Sequence, residues 1–237
     1  MVSAPVRPRN DPRQYDDLVD HWHRTDGEFA ALHWLAAARA ELLPPPPPAG
    51  GVLVDVACGG GLMAPHTEGY THIGVDLMGS ALRAASDRGL VCVRGDATAL
   101  PLADDSADVV IAGEILEHVG TPERVVAEVA RVCKPGGTVI IDTINATWWA
   151  RLTMVTIMER LPGGPPPRIH DPALFIRPNE LAAAFAARGV AMSFRGLRAH
   201  PVDYLRFLRD RRRPVRMLPN RWSTATVYQG VGRKRDG

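Results

Sequence analysis

The sequence has no apolar run long enough to cross a bilayer, since nowhere do about 18 apolar residues follow one another without a charge. Its opening stretch, MVSAPVRPRNDPRQYDD, lacks the apolar segment of a secretory leader. The expectation is a soluble, cytoplasmic chain. Cysteine is scarce: Cys58, Cys92 and Cys133 lie in or beside apolar runs and have no metal-type spacing. A disulfide scaffold and a thiolate metal site are thereby excluded, and buried, reduced thiols are expected. There is no internal repeat, which sets aside solenoid architectures.

What is present reads as one ordinary globular domain, with 237 residues, 46% hydrophobic and 23% charged. The net charge of +2 hides an uneven distribution, because the stretch 195–237 carries twelve Lys/Arg against three Asp. Such an end can face phosphate or anionic lipid, or can simply form a solvated rim around a sheet edge.

Short β-branched runs alternate with helical patterns through the middle of the chain, the signature of parallel strands joined by crossover helices. Strands are expected at Gly51–Val56, His72–Asp76, Val91–Arg94, Ala107–Ala112 and Thr138–Thr143, nearly continuous in apolar residues as doubly covered strands require. Ser80 is the expected cap of a helix that stops at Gly89. Thr121-Pro122-Glu123 opens another, striped by Val125, Val126, Val129 and Val132 and ended by Lys134-Pro135-Gly136-Gly137. A helix from Pro178 through Ala187 follows, then strands at Met192–Leu197 and Thr224–Gly230 with no clear helix between them, expected as an antiparallel edge pair. Helices at Asp16–Trp22 and Phe29–Leu43 precede a stiff connector, Pro44–Pro48. The organisation expected is therefore 1–48 helical cap and proline linker, 49–144 ligand-binding core, 145–177 lid or insert, and 178–237 C-terminal helix and edge strands.

In the stretch VDVACGGGLMAPH, Gly59, Gly60 and Gly61 fall between the first strand and an expected helix. In an open parallel sheet that is where ligands bind, and bare glycine backbone lets one rest against the chain. Gly59-x-Gly61-x-x-Ala64 also satisfies a dinucleotide fingerprint, and a tight structural turn is a further reading. Asp76 ends the second strand, where a carboxylate accepts both hydroxyls of a ribose. Asp96 follows the third, where it can meet an adenine amino group. Asp55, beside the loop, suits a cationic ligand better than a diphosphate.

The run VLVDVACGGG, GVD, GDATALPLADDSADVVIAGEILEHV and VCKPGGTVIIDT resembles the class I S-adenosylmethionine-dependent methyltransferases over about residues 50–145. That resemblance implies a Rossmann-like α/β fold with a mostly parallel seven-stranded sheet, an antiparallel C-terminal edge pair and N-terminal cap helices. A narrower resemblance, carried by DHWHRTDGEFAALHWLAAAR, EILEHV and RLPGGPPPRIHDPALFIRPNEL, is to the O-methyltransferases of ubiquinone biosynthesis, which methylate catechol-type hydroxyls on polyprenylated rings. The stretch 95–105 departs from that subgroup. The resemblance implies S-adenosylmethionine as cofactor, bound by Arg39, Asp55, Ala57, Gly59, Gly61, Asp76, Leu77, Asp96, Ala97 and Gly113. Arg39 matches the arginine that holds the methionyl carboxylate, and Ala57 stands where the family usually has glycine.

Methyl transfer from a sulfonium is an in-line displacement, so the site must align the acceptor, exclude water and help a hydroxyl lose its proton. The candidates are Glu114, Glu117 and His118. If the chain turns helically there, the three share a face and can hold Mg²⁺ or another divalent ion; alternatively His118 acts as a base without metal, or merely packs. His170, with Asp171, lies in a stretch expected to cover the acceptor, where it orients or deprotonates substrate or fixes the loop. Trp22 and Trp34 are read as packing anchors. The insert 147–161 forms an amphipathic helix, either walling the acceptor pocket or resting, with the arginine-rich end, on an anionic membrane. The leading expectation is O-methylation of a phenolic, catechol or quinol-type small molecule. The alternatives are N- or C-methylation of a natural product, RNA methylation using the arginine-rich end, a nicotinamide oxidoreductase, and a cofactor-binding protein without catalysis. Nucleic acid is disfavoured because the basic end lacks interleaved aromatics and no RNA-binding module precedes the core. Nothing in the sequence fixes the oligomeric state.

Overall fold

The computed structural model describes residues 7–236, so the first six residues of the expected cap lie outside the described part. Five strands form the parallel part of the sheet: β1 (Gly51–Val56), β2 (Tyr70–Asp76), β3 (Val91–Arg94), β4 (Ala107–Gly113) and β5 (Cys133–Ile144). β6 (Val190–Ala199), β7 (Met217–Asn220) and β8 (Val227–Lys234) complete it in the order β3-β2-β1-β4-β5-β8-β6-β7. The chain winds from β1 outward to β3, then returns to lay β4 on the other side of β1. That reversal opens a crevice beyond the carboxyl ends of β1 and β4.

The helices are α1 (Arg13–Asp17), α2 (Ala30–Ala40), α3 (Gly79–Ser86), α4 (Pro122–Val132), α5 (Trp148–Ala150), α6 (Pro178–Ala186) and α7 (Pro201–Arg209). On one face of the sheet the valine stripe of α4 and Leu181 and Phe185 of α6 are buried against Val54, Val110, Val139 and Ile141. Each fully buried valine of that stripe contributes roughly 1.5–3 kcal/mol relative to exposure. On the other face Ala36 of α2 packs with Leu53, Ile111 and Ile140. Lys234 Nζ, at the end of β8, donates to the carbonyl oxygens of Ala130 and Cys133 and so closes the end of α4.

The sheet has eight strands rather than seven, and the C-terminal part differs most from expectation. β8 is not at the edge: it inserts antiparallel between β5 and β6, and β7 forms the outer strand. A helix, α7, does separate β6 from β8. Pro201 sits in its first turn and the His200 ring accepts from the Asp203 N–H, a start signal obscured by the arginines that follow. The helix expected after the glycines is only a 3₁₀ turn, Ala64–His66. Ser80 does not cap α3, whose N-cap is Met78; its hydroxyl bonds Asp16 instead. Thr121 stands at the N-cap of α4 without a side-chain bond, Pro122 supplying the start. The first N-terminal helix is broken into α1 and a 3₁₀ turn, Val19–His21. Cys58 and Cys133 are buried, while Cys92 is only half-buried.

Among the described residues no helix is long and apolar enough to cross a membrane. The insert is helical but wound mainly as a π-helix, Arg151–Ile157, followed by a 3₁₀ turn, Met158–Arg160. Val155 faces inward, whereas Trp148, Trp149, Leu152 and Ile157 are exposed. We expect Phe185→Ala, which empties a fully buried site, to cost about 3–5 kcal/mol in urea unfolding, and Val202→Ala on the exposed side of α7 to cost about 0.5 kcal/mol or less.

Candidate active site

The site is built on the loop after β1. Ala57, Gly59 and Gly61 all adopt left-handed backbone, with φ of +57°, +52° and +73°. Asp76, at the end of β2, holds the loop in this form: its two carboxylate oxygens accept from the N–H groups of Gly59 at 2.9 Å and Met78 at 2.8 Å. Burial and the nearby Asp55 charge push the Asp76 carboxyl upward, and the backbone N–H groups oppose that shift.

The glycines are bare for reasons the sequence did not disclose. A Cβ on Gly59 or Gly60 would stand 2.5 or 2.6 Å from Trp22, and one on Gly61 would stand 3.1 Å from Ala85 of α3. The bare backbone thus serves packing as well as ligand approach: the Trp22 indole lies directly on the loop. It stacks on Phe29 with ring centroids 4.4 Å apart, inside a cluster that includes Tyr15.

A cavity opens beside this loop, lined by Asp55, Ala57, Gly59, Asp76, Leu77, Asp96, Ala97, Gly113, Glu114 and His118, with Arg39 entering from α2. Every cofactor-binding position expected from the sequence lines it except Gly61, which packs against α3 instead. Arg39 donates from Nε and Nη2 to the two oxygens of Asp142, at 2.8 and 2.7 Å, and both side chains are buried. Burial alone would weaken the guanidinium charge, but the Asp142 carboxylate more than offsets this and the Arg39 pKa rises. A Cβ on Gly113 would lie 2.1 Å from Arg39 Cζ, so only glycine lets the guanidinium pass over β4. Asp55 is buried and its Oδ2 lies 3.5 Å from His72 Nε2.

Beyond β4 the chain does not turn helically at once. Glu114 takes left-handed backbone, φ +55°, and only Leu116–His118 forms a 3₁₀ turn. Glu117 is fully buried, Thr143 donating to its Oε2 at 2.7 Å while Oε1 has no partner. Burial, with the charges of neighbouring carboxylates, pushes both Glu114 and Glu117 upward. His118 is pulled down to about 4 by burial and is neutral at physiological pH. The ring of His170 stacks on it at 5.3 Å and is itself buried. Donor atoms of Glu117, His118 and His170 lie within 4.8 Å of one another; Glu114 is not among them. Neither His170 nor any residue of 148–161 lines the cavity.

Sequence reading missed Asn10, Tyr15, Asp142 and Thr143. Asp142 and Thr143 end the fifth strand in IIDT, a position that invites the same question as Asp76. Asn10 and Tyr15 carry no local signal, because the chain brings them to the site from more than a hundred residues away.

A glycine loop, a carboxylate ending the second strand and an arginine in a cavity otherwise rich in carboxylates define a nucleoside-cofactor site for a ligand that carries positive charge. The comparisons agree. Residues 54–141 match the family described as a methyltransferase domain. A ubiquinone biosynthesis O-methyltransferase from Cupriavidus pinatubonensis is 33% identical, the match covering 86% of this chain and 88% of that one. Another from Methylococcus capsulatus is 37% identical over 71% and 76%. In fold, a methyltransferase from Thermotoga maritima described as a possible histamine N-methyltransferase superposes with a TM-score of 0.66, at 20% identity, over 93% of this chain and 98% of that one. The chain therefore belongs to the class I S-adenosylmethionine-dependent methyltransferases, in the family of the ubiquinone biosynthesis O-methyltransferases. Asp76→Ala is expected to weaken S-adenosylhomocysteine binding at least about tenfold, or about 1.4 kcal/mol, in calorimetric titration.

Proposed function

We propose that the chain methylates a hydroxyl of a phenolic, catechol or quinol-type small molecule. The observation that carries this reading is the cluster of buried Glu117 and His170 with half-buried His118 beside a carboxylate-rich cavity. S-adenosylmethionine supplies a methyl group on a positively charged sulfur. In this reading Asp76 receives the ribose hydroxyls, Asp96 the adenine side, and Arg39 the methionyl carboxylate, using guanidinium donors that Asp142 leaves free. The carboxylates of Asp55 and Asp76 favour a cationic ligand in this crevice.

The acceptor oxygen must shed its proton as it takes the methyl group. The neutral His118 ring, which lines the cavity, is the group that receives it, and the buried Glu117, whose Oε1 is unpartnered, lies within 4.8 Å of that ring. His170, stacked on His118, fixes that ring and walls the cluster from water.

The same residues fit a divalent cation. Glu117 Oε1 and His170 Nδ1 are buried without partners, and the three candidate ligands converge. Two imidazoles and one carboxylate suit a transition ion better than Mg²⁺, which prefers oxygen ligands. Such an ion would lower the pKa of a bound phenol.

An observation of a different kind favours peripheral contact with a membrane. Trp148 is 73% exposed, Leu205 of α7 53% and Val202 48%. α7 packs against the end of the insert through Tyr204 Oη, which donates to the Pro162 carbonyl. Arg151, Arg160, Arg206, Arg209, Arg212 and Arg213 are exposed on the same two elements and the turn that follows. Apolar side chains ringed by arginine match an anionic bilayer, where a lipid-tailed acceptor resides.

Mass spectrometry of S-adenosylmethionine incubated with a panel of catechols, quinols and phenols should show a 14-Da gain on a hydroxyl, about the mass of one CH₂; methylation confined to amines would contradict the reading. Dialysis against EDTA should lower the initial rate, restored by Mn²⁺ or Zn²⁺ more than by Mg²⁺, and an unchanged rate removes the cation. In flotation with phosphatidylglycerol vesicles, Trp148→Glu/Leu205→Glu should leave the lipid fraction, and flotation equal to that of the wild type removes the membrane contact.

A further inference from the structure

The N-terminal segment ahead of α1 crosses the mouth of the site and grips His118 from outside. Asn10 Nδ2 donates to the His118 carbonyl oxygen at 2.9 Å, and Asn10 Oδ1 lies 2.6 Å from His118 Nδ1. The first bond fixes the second. Turned around, the amide would set its oxygen against the carbonyl oxygen, so Oδ1 must face the ring, and an amide oxygen only accepts. The hydrogen between them therefore belongs to Nδ1. On the far side of the ring the Tyr15 hydroxyl stands 3.3 Å from Nε2. With the hydrogen on Nδ1, Nε2 carries the lone pair, and the Tyr15 hydroxyl is the donor of that contact.

The geometry points to Asn10 as a positioning residue that holds His118 in the Nδ1–H tautomer and leaves the lone pair on Nε2. The inference rests on the reading of His118 as part of the acceptor site. A hydroxyl or cation that takes the place of the Tyr15 hydroxyl at Nε2 then meets an acceptor and not a competing N–H. The opposite tautomer would press the Nδ1 lone pair against Oδ1. Asn10 is suited to the place in a second respect, since its φ of +59° is a left-handed conformation that asparagine tolerates. The segment is anchored beyond the clasp: the Asn10 N–H donates to the Arg168 carbonyl at 3.0 Å, and Arg9 bonds Glu159 and the His170 carbonyl.

The test uses full-length protein labelled with ¹⁵N-histidine, His118 being assigned by loss of its signals in His118→Gln. In the wild type, His118 Nδ1 should resonate as an N–H nitrogen and Nε2 as a lone-pair nitrogen. Asn10→Gly keeps the left-handed backbone without strain and should lose the uniform Nδ1–H state, whereas Tyr15→Phe should retain it. Asn10→Gly should also lower kcat for acceptor methylation about tenfold or more, the scale of acid–base contributions, with the KM for S-adenosylmethionine nearly unchanged. A wild-type ring protonated on Nε2, or an Asn10→Gly ring still protonated only on Nδ1, overturns the inference. The wild-type spectrum decides the tautomer even if the variant folds poorly. Should no hydroxyl compound be methylated while the tautomer is as stated, the acceptor reading fails and the clasp stands.

Discussion

The buried pair of Arg39 and Asp142 is the constraint around which the site is arranged. It joins α2 of the N-terminal cap to the end of β5 and crosses β4 where Gly113 alone gives clearance. Removing either partner would leave an uncompensated charge in the interior, a loss of about 3–5 kcal/mol in comparable buried pairs. The pair also sets the balance of charge. Three acidic groups, Asp55, Asp142 and Glu114, act on one guanidinium, so acidic groups outnumber basic ones here, and burial with neighbouring carboxylates makes Glu114 and Glu117 hold protons more tightly than exposed ones do. A cofactor bearing a sulfonium and an ammonium group relieves that imbalance, which a dinucleotide with two phosphates would aggravate.

A second layer of construction comes from the N-terminal segment. Trp22 lies on Gly59 and Gly60, Tyr15 and Asn10 close on His118, and Arg9 reaches Glu159 of the insert. Loop, His118 and insert are thus tied to one stretch of chain that enters the site from outside the sheet. The glycines accordingly serve packing and conformation at once: two of them admit an indole, and the third admits the backbone of α3.

The parallel half of the fold was legible because its signals are local. Valine-rich strands, a proline starting α4 and glycines ending α3 and α6 each declare themselves within a few residues. Asp76 was legible for the same reason, as a carboxylate at a strand end. The C-terminal half was legible in part: α6 and the antiparallel pair that became β6 and β8 were expected, but not the place of β8 between β5 and β6, which is set by pairing across the whole domain, nor α7, whose start is masked by arginines. The amphipathic insert was recognised, but the π-helical winding changes which apolar residues face outward and could not be inferred from a 3.6-residue period. At the site, Glu117 and His118 were visible as a charged cluster after β4. Glu114 was read onto the same face only because a helix was assumed, and its left-handed backbone breaks that assumption.

The most direct test of the central claim, that the crevice between β1 and β4 is built around a cationic nucleoside cofactor, is a crystal structure of the complex with S-adenosylhomocysteine. The account predicts both ribose hydroxyls on the Asp76 carboxylate and the amino-acid carboxylate on the guanidinium of Arg39. A ligand bound elsewhere, with the crevice closed by protein side chains, would contradict it.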